Sequence, residues 1–283
     1  MSCAPDFLFI GPSKAASSWL FERLRQHPDV FVPDAKDIYY FDRNYDRGGD
    51  WYRSHFGRPA DGFATRGEVC HDYLYSPEAA DRIATDLPEV KLLFGFRDPV
   101  ERSISHLRQS IRMGNVTGDI HRALATNPNI IDHSRYSRHL QPFLERFRPE
   151  RFFVVPFDEI SAEPAPLLCS IFDFLAVSHD PAVLADADER VNPAAKARFP
   201  GGGDLARIGA NTLRSLGLET TLGRLKRSRL RTALFSEIDL TDMADVTAAK
   251  QWRSVIAEQL AGEEAATRAL LADHGVAGSV AGR

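Results

Sequence analysis

The side chains best placed for chemistry lie near the start of the chain, in Gly11-Pro12-Ser13-Lys14-Ala15-Ala16-Ser17-Ser18-Trp19. Backbone N–H groups at a helix start, joined by one lysine, form an anion site. Lysine is scarce here, at positions 14, 36, 91, 196, 226 and 250 only, so Lys14 in a loop of small residues stands out. Its bland alternative is a solvated surface lysine. Ser17 and Ser18 suit phosphate contact and, equally, simple capping of the helix. The loop departs from the magnesium-nucleotide motif G-x-x-x-x-G-K-[ST], because Ala15 follows Lys14 where the metal-holding hydroxyl would stand. The cysteines make no comparable group. Cys3, Cys70 and Cys169 are odd in number and lack C-x-x-C spacing, so alone they build neither a disulfide framework nor a zinc site. The cationic run Arg224 to Arg231 reads as the solvated face of a helix, with contact to an anionic acceptor as its alternative.

Such a loop needs a strand before it and a helix after it. Asp6 to Ile10 is apolar without alternation, as in a strand buried on both faces of a parallel sheet. Gly11 and Pro12 stop it, and Ser17 to His27 puts Trp19, Leu20, Phe21 and Leu24 toward one side of a helix. Val90 to Phe96 is a second buried strand, ended by Arg97-Asp98-Pro99 and followed by a helix closing at Gly114. Arg151 to Phe157 is a third; the helix after it has Pro164 in its first turn and Leu167, Leu168, Ile171, Phe172 and Leu175 as its apolar set. Weaker strand signals lie at Val30 to Val32 and Gly67 to Cys70. This alternation predicts an α/β protein, its central and mostly parallel sheet flanked by helices, with ligands at the carboxyl ends of the strands. Residues 178–204 read as a long loop, while Leu205 to Leu218 and Val246 to His274 read as helices.

Composition sets outer bounds. With 43% apolar and 26% charged residues the chain is globular rather than disordered. A net charge of −4 gives no global reason to bind nucleic acid or an anionic membrane. The apolar run near the N-terminus is too short for a signal peptide or a membrane span, and the cysteine usage suits a reducing compartment. The expectation is therefore a soluble, cytoplasmic protein.

Several motifs agree in order with one family. Lys14-Ala15-Ala16-Ser17-Ser18-Trp19 resembles the K-[SG]-G-T-[TS]-[WSL] loop of sulfotransferases that use 3′-phosphoadenosine 5′-phosphosulfate (PAPS). Arg97-Asp98-Pro99 followed by Ser105 resembles their R-[DN]-P strand end with a Ser eight positions after the Arg. Lys36-Asp37-Ile38-Tyr39-Tyr40-Phe41 resembles K-E-x-x-[FY]-F, and Gly48 to Phe56 resembles G-x-x-W-Y-x-x-x-F. Gly67 to Leu74 and Arg135 to Ile160 continue the likeness, which spans about residues 6–177. Both the K-[DE]-x-x-[FY]-F and the G-x-x-W-Y element look nearer to the carbohydrate-acting, heparan-type branch of a bacterial-type enzyme.

The resemblance implies a single domain over residues 1–283 with a P-loop NTPase-like fold: a PAPS-binding core at 6–177, the loop at 178–204 and a helical C-terminal extension at 205–275. It implies sulfuryl transfer to a hydroxyl of a sugar or natural product, with release of 3′,5′-ADP and no metal. Lys14, Ala15, Ala16, Ser17 and Ser18 would hold the 5′-phosphosulfate, with Lys14 neutralising charge on the leaving oxygen. Trp19 would stack on adenine or serve as a core residue. Arg97 and Ser105 would bind the 3′-phosphate, although an Arg at a strand end is often a surface ion-pair partner. Tyr136 would lie near the nucleotide or in the core, and Arg198, with Asn192 and Lys196, would close over the phosphate. The base is Asp37, one methylene shorter than the family's Glu, or His71, on which the K-T-H histidine of small-molecule sulfotransferases aligns; Glu68 is a lesser alternative. An aspartate carboxyl, with its ordinary pKa of about 4, and a histidine both accept protons at neutral pH. Where many relatives keep a further lysine this chain has Val69. Alanine at 15 and 16 predicts ordinary right-handed dihedrals there. An ATP-using kinase and a non-catalytic nucleotide-binding protein are the alternatives.

Overall fold

The computed structural model describes residues 4–34, 36–56, 62–112, 119–189, 195–197, 235–237 and 246–276. Short apolar stretches become the strands β1 (Phe7–Gly11), β2 (Val30–Phe31), β3 (Thr65–Val69), β4 (Lys91–Phe96) and β5 (Phe152–Pro156). They pair in the order β2-β3-β1-β4-β5, and every pairing is parallel. The helices α1 (Ser17–Gln26), α2 (Tyr40–Arg43), α3 (Gly49–Ser54), α4 (Pro77–Asp86) and α5 (Pro99–Arg112) lie among the first four strands and after β4. Before β5 come α6 (Ile120–Thr126), α7 (Asn129–Asp132) and α8 (Tyr136–Leu144), and after it α9 (Glu159–Ala162) and α10 (Pro164–Leu175).

Side chains alternate across a strand, so a sheet covered on both faces needs apolar residues at every position. Leu8, Ile10, Leu92, Phe94 and Val154 enter one core cluster, with Ile83 of α4 and Leu140 of α8. Phe7, Phe9, Val69, Leu93 and Val155 enter a second, with Leu20 of α1 and Ile171 of α10. A third cluster joins Ile104 and Leu107 of α5 to Ile130, Ile256 and Leu260. The α/β expectation holds: strands β1, β4 and β5 fall within a residue of their sequence bounds, and both faces of the sheet are covered. No helix among the described residues is long and apolar enough to cross a membrane.

Three features differ from the sequence expectation. Within the stretch expected to be loop, Pro181–Ala185 forms a short helix, because Asp180 accepts hydrogen bonds from Ala182 N and Val183 N and Pro181 suits the first turn. The helical segment 246–274 divides into Val246–Gln259 and Glu263–Asp273, broken at Gly262 with φ 79°. Ala195–Ala197 and Phe235–Glu237 pair as an antiparallel ribbon. The helix expected at Leu205 to Leu218, the run Arg224 to Arg231, Asn192 and Arg198 lie outside the described residues.

Candidate active site

The loop after β1 lies at the carboxyl edge of the sheet, between the ends of β3 and β4. Gly11 has φ 129°, and a Cβ there would stand 2.7 Å from His71 O. A Cβ on Gly95 of β4 would stand 2.4 Å from Ala15 O. Both glycines therefore let the loop press against its neighbours. Lys14 (φ 69°) and Ala16 (φ 74°, ψ −12°) are left-handed, while Ala15 between them is not. The expectation of right-handed dihedrals at both alanines is thus corrected at Ala16. A left-handed alanine costs on the order of 1–2 kcal/mol, and backbones that alternate in this way turn successive N–H groups into an anion-binding concavity. Neither Ser17 nor Ser18 caps α1: its N-cap is Ala16, with no side-chain cap. Ser17 Oγ instead accepts from Lys36 Nζ at 2.9 Å, and Ser13 N–H donates to Tyr75 Oη at 3.2 Å.

On the β4 side, Arg97 Nη1 donates to Lys14 O at 2.9 Å, and its guanidinium lies 4.1 Å over the Phe157 ring. Burial pushes the Arg97 pKa below its usual range. Arg97 Nε has no hydrogen-bond partner, and Arg97 pairs with no carboxylate among the described residues. Ser105 lies half-buried on α5. Tyr136 is fully buried against Phe94 and Phe96, and burial raises its hydroxyl pKa against the opposing pull of the nearby Arg102 and Arg97 charges. Trp19 does not offer an open stacking face: it is buried in the second core cluster, with Nε1 donating to Ala187 O at 2.9 Å. Arg102, also buried, donates from Nε to Ser134 Oγ at 2.6 Å and so braces the turn before α8.

On the β3 side the chain folds back so that Asp37 N donates to Val69 O at 2.9 Å. Asp37 is left-handed at φ 64° and only 8% exposed. Its Oδ1 accepts from His71 Nδ1 at 2.6 Å and from the His71 backbone N at 3.2 Å, and its Oδ2 is 3.8 Å from Lys36 Nζ. The two candidate bases are therefore in contact with each other. His71 Nε2 stands 3.3 Å from Asp72 Oδ1, and Asp72 Oδ2 pairs with Arg43. Glu68 plays a different part. It is 1% exposed and accepts from Ile38 N at 3.0 Å, Tyr52 Oη at 2.9 Å and Tyr73 Oη at 3.0 Å, while Tyr73 Oη accepts from Tyr40 N at 2.9 Å. Burial pushes its pKa up to about 8, against the pull of those hydrogen bonds. Glu68 thus pins the turn that carries Asp37.

Beside this pair stands a wall of rings. Tyr75 stacks on His133 with centroids 3.5 Å apart and planes 15° from parallel, and His106 lies 6.1 Å from His133. Burial, followed by the charge of Arg102, lowers His106 to about 4 and His133 to about 2, so both rings stay neutral near pH 7.

A sequence profile for the sulfotransferase family matches residues 38–181, about half of the chain. The chain belongs to the sulfotransferase family. The matched part of the chain holds His71, Arg97, Ser105 and Tyr136, while Lys14 to Trp19 and Asp37 precede it. Human heparan sulfate glucosamine 3-O-sulfotransferase 3B1 is 32% identical over 185 residues, covering 61% of this chain and 46% of the relative. Human heparan sulfate glucosamine 3-O-sulfotransferase 6 is 32% identical over 182 residues, covering 61% and 52%. The chain spans about half the length of the curated relatives it matches. The crystal structure of a sulfotransferase from Alicyclobacillus acidocaldarius shares the fold, with a TM-score of 0.55 at 23% identity over 77% of this chain and 95% of that one.

The fold of this family member brings Lys14, Lys36, Asp37, His71 and Arg97 to one edge of the sheet and leaves Trp19 in the core. Sequence reasoning missed Tyr75, His133 and the pinning role of Glu68. A signal existed for His106, which follows Arg102 by one helical turn on α5; His133 carried none, because its place depends on a long-range fold.

Proposed function

We propose that this protein transfers a sulfuryl group from PAPS to a hydroxyl of a carbohydrate or other small-molecule acceptor and releases 3′,5′-ADP. The observation that carries this is Arg97, a half-buried guanidinium tied to Lys14 O, with Nε unpartnered and no carboxylate paired to it among the described residues. Such a group calls for an anion. It offers a second anion-binding group beside the loop, as a nucleotide with both a 3′- and a 5′-phosphate requires. Ser105, on the helix that follows Arg97, supports the same site.

In this reading the backbone N–H groups of 15–18 and the Ser17 and Ser18 hydroxyls hold the 5′-phosphosulfate. Lys14 supplies positive charge at the bridging oxygen as the S–O bond breaks, the part that a metal takes in the magnesium-nucleotide motif. The Asp37–His71 pair receives the acceptor proton. The names of the curated relatives, heparan sulfate glucosamine 3-O-sulfotransferases, favour a sugar hydroxyl, and a natural-product hydroxyl fits the same chemistry. A single domain, in a reducing cytoplasmic setting that suits the free thiols of Cys70 and Cys169, completes the proposal.

Thermal shift with 3′,5′-ADP and, separately, with ATP and magnesium tests it. At about 100 times its Kd, 3′,5′-ADP should add roughly 2.7 kcal/mol to stability. Stabilisation by ATP with magnesium and none by 3′,5′-ADP would assign an ATP-dependent enzyme instead.

A further inference from the structure

We infer that Asp37 and His71 form one catalytic unit in which His71 Nε2 takes the acceptor proton and Asp37, without touching the acceptor, positions the imidazole; this rests on the sulfuryl-transfer reading above. A carboxylate only accepts hydrogen bonds, so the 2.6 Å hydrogen bond to Asp37 places the ring proton on Nδ1 of His71, while Nε2, 3.3 Å from Asp72 Oδ1, makes no hydrogen bond to it. In the neutral ring the lone pair is then on Nε2. Asp37 Oδ1 also accepts from the backbone N of the same residue, which ties the carboxylate to both ends of His71 and holds its rotamer.

Accessibility separates the two roles. The Asp37 side chain is 7% exposed and that of His71 24%. Asp37 cannot swing outward cheaply. Its left-handed backbone is pinned by Val69 O, and its neighbour Ile38 is pinned by Glu68. The imidazole extends the reach of a short, buried carboxylate to the solvent side. Charged groups around the pair include Lys36 and Glu68 beside Asp37, and Asp72 with Arg43 beyond Nε2.

The step balances. The acceptor O–H bond breaks and its proton passes to Nε2. The acceptor oxygen forms a bond to sulfur as the bond from sulfur to the bridging oxygen breaks, and that electron pair leaves on the phosphate of 3′,5′-ADP. No oxidant or reductant enters. Arranging base and carboxylate in series is the logic of a base held by a third group.

Two measurements test the unit. In 15N-labelled protein, at a pH where the ring is neutral, His71 should carry its proton on Nδ1, and Asp37→Asn should shift it toward the Nε2-protonated form. An Nε2-protonated ring in the parent protein, or identical spectra in the two proteins, overturns the inference, and this measurement needs no turnover. The second is release of 3′,5′-ADP from PAPS with water as the sole acceptor. His71→Gln should lose about 100-fold or more, Asp37→Asn a comparable factor, and the double variant no more than His71→Gln alone. His71→Gln within threefold of the parent, or a double variant that multiplies the two losses, overturns it. Each variant should keep the thermal shift with 3′,5′-ADP. A parent protein lacking that shift sinks the sulfuryl-transfer reading instead and leaves the tautomer measurement to judge the pair.

Discussion

In the proposed donor site Arg97 would join the two ends: Nη1 holds the carbonyl of Lys14, while Nε is buried without a hydrogen-bond partner. Hydrogen bonds to charged groups contribute about 1.5–3 kcal/mol. Arg97→Gln should therefore weaken 3′,5′-ADP roughly ten- to a hundredfold and 5′-AMP much less, as titration calorimetry would show. Equal losses for the two ligands would move the 3′-phosphate site elsewhere. Lys14→Ala should lower kcat about 10²- to 10³-fold, the scale of one lost transition-state contact, and an unchanged kcat would contradict its place at the leaving oxygen. The loop composition made Lys14 legible, and resemblance to the family's motifs made Asp37, His71 and Arg97 so. That Asp37 and His71 touch was not, because the contact depends on how the turn at residue 37 docks on the end of β3. The left-handed Ala16 was also hidden, since alanine has no preference for that conformation and the surrounding packing imposes it.

At the scale of elements, the loop owes its position to what β1 and β4 lack. Gly95→Ala would place a Cβ 2.4 Å from Ala15 O, against backbone that cannot turn aside. The variant should lose stability by about 1–3 kcal/mol, as overpacking does, and lose 3′,5′-ADP affinity with it. Chemical denaturation and calorimetry would check both, and unchanged values would show that the loop gives way freely. The strands were legible because a sheet buried on both faces demands unbroken apolar runs, and Phe7 to Ile10 is one. The segment that forms α2 and α3 was not read as helix. It is short and aromatic, and Tyr40 stacks on Tyr52 at 4.3 Å with planes 7° apart, a tertiary contact rather than a local periodicity. Gly262 gave a readable break that a continuous 246–274 pattern obscured.

Across the whole molecule, buried titrating groups oppose one another. Glu68 has its pKa raised from 4.5 to about 8, so between those values the unfolded chain releases a proton that the fold retains, and stability falls as pH rises. His106 is lowered from 6.5 to about 4, and His133 shifts the same way, so their contribution is present above pH 6.5 and lost as pH falls. The two slopes offset each other between about 4.5 and 6.5. Above 6.5 Glu68 acts without them, so Glu68→Gln should flatten the decline in Tm from pH 6.5 to 8; parallel curves for parent and variant would contradict this origin. Composition had bounded only the net charge, since a count of −4 says nothing of which carboxyl is buried. Finally, Lys36 Nζ spans Ser17 Oγ and the Asp37 carboxylate. If the proposed roles hold, the anion loop and the proton-accepting pair share one ammonium. An anion that settles at Ser17 draws on the cation facing Asp37, and the thermodynamic linkage runs equally in reverse. Through one lysine side chain, the occupancy of either site would set the electrostatic terms on which the other is filled.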